Sequence, residues 1–285
     1  MNDKTKAVIY MLLSALFFGI MATMVKLAGD IPVFEKVFFR NIISLSVALW
    51  AIKKNKTSIF GEKENQKYLI ARSLLGLTGV YLYFYSINNL YLADSSILNK
   101  LSPFFITFFA IVFLKEELTS MKVISMIVVF SGALLIIKPQ FNLSIIPSMA
   151  GFISAAFAGG AYTIVRFLKD RESPPTIVFY FSFVSVVGAL PFMIVNFVMP
   201  TMMQFIYLIL TGVSAAVAQF ALTYAYKYAP ASEVAIYNYT NIIFSVILGF
   251  LVWGEVPDLM SIIGGGIISI MAIIVYISGR KKELL

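Results

Sequence analysis

The chain of 285 residues is 60% hydrophobic and 13% charged, with a mean hydropathy of +0.90. That is more apolar side chain than a soluble domain of this size can bury, so lipid is its solvent. Cys and His are absent, which excludes disulfides, thiolate or imidazole metal sites, cysteine nucleophiles and histidine bases. The net charge of +8 gathers on one side of the predicted membrane, which marks orientation and speaks against a nucleic-acid partner.

A bilayer core of about 30 Å takes roughly 20 apolar residues in a helix, where every backbone polar group is satisfied internally. Ten segments reach that length: 6–28, 33–52, 68–88, 92–114, 121–138, 146–168, 175–198, 204–226, 230–252 and 259–279. The first has no small-residue cleavage site and reads as a retained helix. The long apolar stretches 68–114 and 204–252 divide at Asn88-Asn89 and Ala229-Pro230, where polar residues or a helix-starting Pro mark a hairpin. With the amino terminus inside, the inner segments hold Lys4, Lys6, Lys53, Lys54, Lys56, Lys63, Lys67, Lys115, Lys122, Lys169, Arg171, Lys227, Arg280, Lys281 and Lys282. The outer ends hold only Lys26, Lys36 and Lys138. Both termini are therefore expected in the cytoplasm of a plasma-membrane protein. Trp50 and Trp253 fall at helix ends, where indole rings favour the interface.

The two halves repeat each other. A shift of 140 residues lays Ser14, Ala15, Phe17, Gly19 and Thr23 on Ser154, Ala155, Phe157, Gly159 and Thr163, with Lys26 on Arg166; a shift of 138 lays Ala93 on Ala231 and Glu117 on Glu255. The fold class expected is an all-α integral membrane protein, with repeats over 1–140 and 141–285. Five helices per repeat is an odd number, so the second copy enters from the opposite side. The result is an inverted repeat around a central cavity, the architecture of secondary transporters.

The stretch LADSSILNKLSPFFITFFAIVFLKEELT, with its small residues, mid-helix Ser-Pro and closing Glu117, resembles the fourth helix of the EamA-type repeats of the drug/metabolite transporter superfamily. APASEVAIYNYTNIIFSVILGFLVWGEVPD keeps that frame and closes on Glu255, but has Asn241 where Pro103 maps. The resemblance covers nearly the whole chain. It implies a transporter, not an enzyme, with no cofactor, whose first, third, fourth, sixth, eighth and ninth helices surround the cavity. It leaves the cargo open.

A polar group within hydrocarbon needs a partner, a cavity or a ligand. On the fourth helix Lys100, Pro103 and Thr107 share a face and map onto Asn238, Asn241 and Ser245 of the ninth; on the third, Tyr81, Tyr85 and Asn88 map onto Gln219, Thr223 and Tyr226 of the eighth. Candidate substrate-binding residues are Lys100, Asn238, Asn241, Tyr81, Tyr85 and Gln219, with Asn99, Tyr237 and Thr223 beside them. Uncharged members of such a set also serve simply to bind helices together. Lys100 stands apart, because an ammonium about eight residues into a span is costly without water, a counter-ion or a ligand.

Asp94 and Glu233 are placed to offset unpaired amides at helix starts, and Glu117 and Glu255 to latch neighbouring loops. Gly159, Gly160 and Gly264–Gly266 suit close helix packing. Glu35 and Arg40, one turn apart, are placed to pair at the rim of the second helix, and Arg72 and Arg166 lie near inner ends where they can snorkel. No Asp or Glu falls mid-span, which counts against the alternative of a multidrug or organic-cation exporter. The other alternative, a membrane-embedded enzyme on lipid substrates, needs a cluster of polar groups that only the loop 53–67 has room for. The cargo expected is a small amino-acid-like, carboxylated or zwitterionic metabolite.

Overall fold

The computed structural model describes residues 3–114, 120–137, 145–168, 170–229 and 235–283. Backbone in hydrocarbon has to satisfy its own polar groups, and no strand occurs among the described residues. The helices are α1 (Asp3–Leu27), α2 (Val33–Asn55), α3 (Gln66–Asn89), α4 (Leu92–Asn99), α5 (Ser102–Leu114), α6 (Ser120–Ile137), α7 (Ile146–Leu168), α8 (Pro174–Val195), α9 (Met202–Tyr228), α10 (Thr240–Trp253) and α11 (Leu259–Glu283). Short 3₁₀ turns occupy Lys63–Asn65 and Ala235–Tyr239. Five helical segments are long and apolar enough to cross a bilayer: Asp3–Leu27, Leu92–Phe113, Ile146–Leu168, Pro174–Val195 and Met202–Tyr228. The chain is a multi-pass membrane protein. Helices α2 and α3 have the length without the composition, and both carry a buried arginine.

Local chemistry sets the helix ends. At the start of α9, Thr201 Oγ1 accepts from the Gln204 N–H while Gln204 Oε1 accepts from the Thr201 N–H at 2.9 Å, a capping box. At the end of α10, Gly254 is left-handed (φ 66°), and the Glu255 N–H donates back to the Gly249 carbonyl at 3.2 Å. This turn carries Glu255 back over the helix end.

Nearly all helix packing joins the first half of the chain to the second, and the pairings are reciprocal. Helix α1 packs on α9 as α3 packs on α7; α2 packs on α9 as α3 packs on α8; α5 and α4 pack on α7 as α1 packs on α10. The pairs α2 with α8 and α6 with α11 match corresponding helices of the two halves. Between lipid-facing helices close van der Waals fit replaces the hydrophobic effect, so small residues mark the contacts. Gly132 and Gly264 face each other across α6 and α11; a Cβ on Gly264 would meet the Gly132 carbonyl oxygen at 2.5 Å. Gly265 lies against Ile97, whereas a Cβ on Gly266 would meet nothing within 4 Å, so only part of that glycine run is used for packing. A Cβ on Gly159 would stand 2.5 Å from Phe105 Cβ and 3.1 Å from the Ser102 carbonyl oxygen. Gly159→Ala is therefore expected to push α5 off α7 and cost about 1–3 kcal/mol. A clear fall in the Tm of the purified protein checks it, with Gly266→Ala as the neutral control.

Two segments expected as continuous helices are interrupted. The span 92–114 breaks at Lys100-Leu101 into α4 and α5. Pro103 has no N–H to give the Asn99 carbonyl, and its ring crowds that oxygen. In the second half, residues 230–234, with Glu233, lie outside the described residues, and Ala235–Tyr239 is a 3₁₀ turn leading into α10. The Thr240 hydroxyl donates to the Tyr237 carbonyl there at 2.7 Å. Glu117 also lies outside the described residues.

One end of the bundle is tied shut by charge. The Lys26 ammonium is ion-paired with Glu255 and donates to the Leu90 carbonyl at 2.8 Å, and it sits 5.1 Å from the centre of the Trp253 ring. Glu255 Oε2 accepts the Leu92 N–H at 2.8 Å. The same carboxylate thus holds α1, the α3–α4 turn and the end of α10 together. Nearby, Lys36 donates to the carbonyls of Val25 (2.9 Å) and Gly29 (2.8 Å) and to Asn88 Oδ1 (2.9 Å).

Candidate functional site

A cavity of about 70 Å³ lies inside the bundle. It is lined from α1 by Phe18 and Met21, from α2 and α3 by Arg40, Arg72 and Tyr83, from the α4–α5 break by Asn99, Lys100 and Ser102, and from the second half by Tyr162, Phe181, Gln219, Asn238 and Asn241. A volume of that size holds a few waters at roughly 10–15 Å³ each, against roughly 300–1,000 Å³ for ligand pockets generally. An organic cargo enters only if helices part.

The two helix interruptions meet at this cavity. Lys100, 6% exposed, donates from Nζ to Asn238 Oδ1 at 3.1 Å. These residues occupy corresponding positions of the two halves, one at the end of α4 and the other in the 3₁₀ turn before α10. A break in a helix frees backbone groups, which is tolerated at membrane depth only where protein or a polar cavity receives them. Lys36 shows what a structural lysine looks like here, with three acceptors for its three donors. Among the described residues, Lys100 has a single neutral acceptor and no acidic residue lines the cavity. The arrangement suits a ligand that brings its own negative charge.

Five of the nine sequence-predicted residues line the cavity: Lys100, Asn99, Gln219, Asn238 and Asn241. Asn241 Nδ2 donates to the Ala15 carbonyl at 2.8 Å, tying α10 to α1, and Asn99 Nδ2 donates to Ser154 Oγ at 3.3 Å. The structure places the other four outside the lining. Tyr81 turns to Phe34, edge to face at 5.0 Å, and Tyr85 is 38% exposed. Tyr237 packs against the α1–α9 apolar cluster, and the Thr223 hydroxyl is spent on the Gln219 carbonyl of its own helix at 2.7 Å.

Arg40, Arg72, Tyr83, Tyr162 and Phe181 line the cavity and were not singled out from sequence as binding residues. Arg40 does not pair with Glu35. It donates to Asn41 Oδ1 at 2.9 Å, while Glu35 accepts the Val198 N–H at 3.2 Å. Arg72 does not snorkel; it is 2% exposed with its guanidinium 4.0 Å from the Phe181 ring centre. The signal for both was the one that marked Lys100, a cation about two turns inside a helix.

Comparison with known proteins agrees with this architecture. The model of the EamA-like transporter family matches residues 5–138 and again 146–277. The chain is 34% identical over 278 residues to the pseudopaline exporter CntI of Pseudomonas aeruginosa, covering 96% of each chain. It is 27% identical to an S-adenosylmethionine uptake transporter of Rickettsia bellii, over 88% of this chain and 86% of the relative. A solved crystal structure superposes with a TM-score of 0.72 over 98% of this chain and 99% of that one, at 16% identity, a likeness of fold alone. With two matches to the family model spanning almost all of its length, the chain belongs to the EamA-like transporter family, a transporter rather than an enzyme.

Proposed function

We propose that this transporter moves a small carboxylated or zwitterionic, amino-acid-like metabolite across the plasma membrane by alternating access. The observation that carries the reading is Lys100, a buried ammonium at a helix break, held by the neutral Asn238 in a cavity that no acid lines among the described residues. A carboxylate at that point completes the charge, and the amides of Asn99, Gln219 and Asn241 orient the rest of the molecule. The relatives' names support a metabolite as cargo, and S-adenosylmethionine itself carries an amino-acid carboxylate. The scaffold we propose is ten spans in two inverted five-helix repeats, 1–140 and 141–285, with both termini in the cytoplasm. The reciprocal packing of the halves and the one-sided placement of Lys and Arg support it. In that orientation the Lys26–Glu255 latch faces outside.

The test is thermal stabilisation of the detergent-purified protein by amino acids, other carboxylates, phosphates, nucleosides and lipophilic cations, since a ligand that binds only the folded state raises Tm. Carboxylates or zwitterions are expected to stabilise the native protein and not the Lys100→Met variant. Stabilisation by lipophilic cations alone overturns the reading in favour of drug export.

A further inference from the structure

The cavity holds more positive charge than one carboxylate answers. Arg40 comes from α2 and Arg72 from α3, and both guanidiniums lie over the same ring, 5.1 and 4.0 Å from the centre of Phe181. Sharing that ring brings both to one patch of the cavity wall. The site is shaped to admit them: a Cβ on Gly76 would meet the Phe181 ring at 2.9 Å and Arg72 Nη1 at 3.3 Å. Arg40 uses Nη1 on Asn41, but its Nε, and both Nε and Nη1 of Arg72, are buried with no hydrogen-bond acceptor. A guanidinium stays charged in a protein and offers its donors as a flat fork matched to an oxyanion. Two of them buried against one ring, with no counter-ion among the described residues, are costly to keep. An anion that satisfies the idle donors removes that cost, and the Phe181 face keeps the pair in place between visits.

We infer that Arg40 and Arg72, over Phe181, form a second oxyanion subsite in the cavity, so that the cargo carries at least two oxyanion groups. Lys100 takes one, in keeping with the function proposed above, and the arginine pair takes the other. Either carboxylate or phosphate fits the fork, so the chemistry of the second group is that of an oxyanion in general. The Phe181 ring beside the cations also offers an apolar wall to the body of the molecule.

The experiment compares matched compounds that differ by one anionic group, titrated into the full-length protein in detergent: glutamate with glutamine, succinate with succinamate, and O-phosphoserine with serine. The doubly anionic member is expected to bind about tenfold tighter or better, as one added charge-assisted bidentate contact implies. Arg72→Lys keeps the charge and loses the fork, so it is expected to erase most of that difference while sparing the singly anionic member. The carboxylate and phosphate pairs report which oxyanion is preferred. Equal affinity within every pair overturns the second subsite and leaves Lys100 as the carboxylate site. A difference that survives both Arg72→Lys and Arg40→Lys overturns it as well. If no anion binds at all, the reading of Lys100 falls with it.

Discussion

Lys100→Met is expected to reduce saturable transport in proteoliposomes to background, a loss of roughly 100-fold, with the protein still inserted at normal levels. The variant keeps an unbranched four-atom stem and loses the ammonium, so α4 and α5 are expected to retain their packing. A charge-assisted contact to a carboxylate is worth about 1.5–3 kcal/mol, or roughly 10- to 100-fold in affinity, and any use of the same contact in the transport step adds to that. Asn238→Asp sharpens the assignment. It would set a carboxylate where Asn238 Oδ1 now accepts from Lys100 at 3.1 Å, giving the ammonium a permanent partner that competes with the cargo. A purely structural lysine would be better satisfied by that change and transport would continue. Loss of flux in both variants supports a binding role; normal flux in either sinks it.

Opening of the Lys26–Glu255 latch should follow from Glu255→Gln. The carboxylate joins the Lys26 ammonium on one oxygen and the Leu92 N–H on the other, and both ion-pair side chains are largely buried, at 14% and 12% exposure. Removing its charge leaves Lys26 with the Leu90 carbonyl and weakens the closed end by about 2–3 kcal/mol, which raises the open population by roughly 30-fold or more. The absence of cysteine from the chain makes the measurement direct. Met21 lines the cavity from α1 and is 2% exposed, so Met21→Cys supplies a single thiol in the path. A membrane-impermeant thiol reagent added outside is expected to label it at least tenfold faster in the Glu255→Gln background. An unchanged rate in folded protein argues against a latch, and faster labelling only from the cytoplasmic side would reverse the orientation.

Much of the chain's helical order could be read from sequence because span length and turn residues are direct consequences of lipid. Pro103 also carried the signal of the break at Lys100-Leu101, through the missing N–H. The 3₁₀ turn at Ala235–Tyr239 had no such mark, since its counterpart of Pro103 is Asn241, which reaches α1 with its side chain instead. Within the site, charge was legible and facing was not. Matching α3 to α9 points to Tyr81 and Tyr85, and Gln219, the partner of Tyr81, does line the cavity. On α3 itself the inward face holds Arg72, Gly76, Gly79, Val80 and Tyr83, while Tyr81 meets Phe34 of α2. A span beginning at residue 68 makes Arg72 peripheral. The helix starts at Gln66, and Phe181 of α8 gives the guanidinium a ring to lie on. Phe181 and Tyr162 carried no signal in a chain with 15% aromatic residues.

The break at Lys100-Leu101 also bears on how the protein is made. Helix α4 has eight residues, about 12 Å of rise, and cannot cross a bilayer by itself. A lysine at mid-span adds about 2.5–3.5 kcal/mol to the apparent cost of insertion by the translocon. What carries the segment into lipid is α5, whose Phe104, Phe105, Ile106, Phe108, Phe109, Ile111, Val112, Phe113 and Leu114 each return a few tenths of a kcal/mol. The polar half is thus drawn in by the aromatic half, so a damaging change among those phenylalanines is expected to fail during biogenesis, as a protein missing from the membrane, before any question of transport arises.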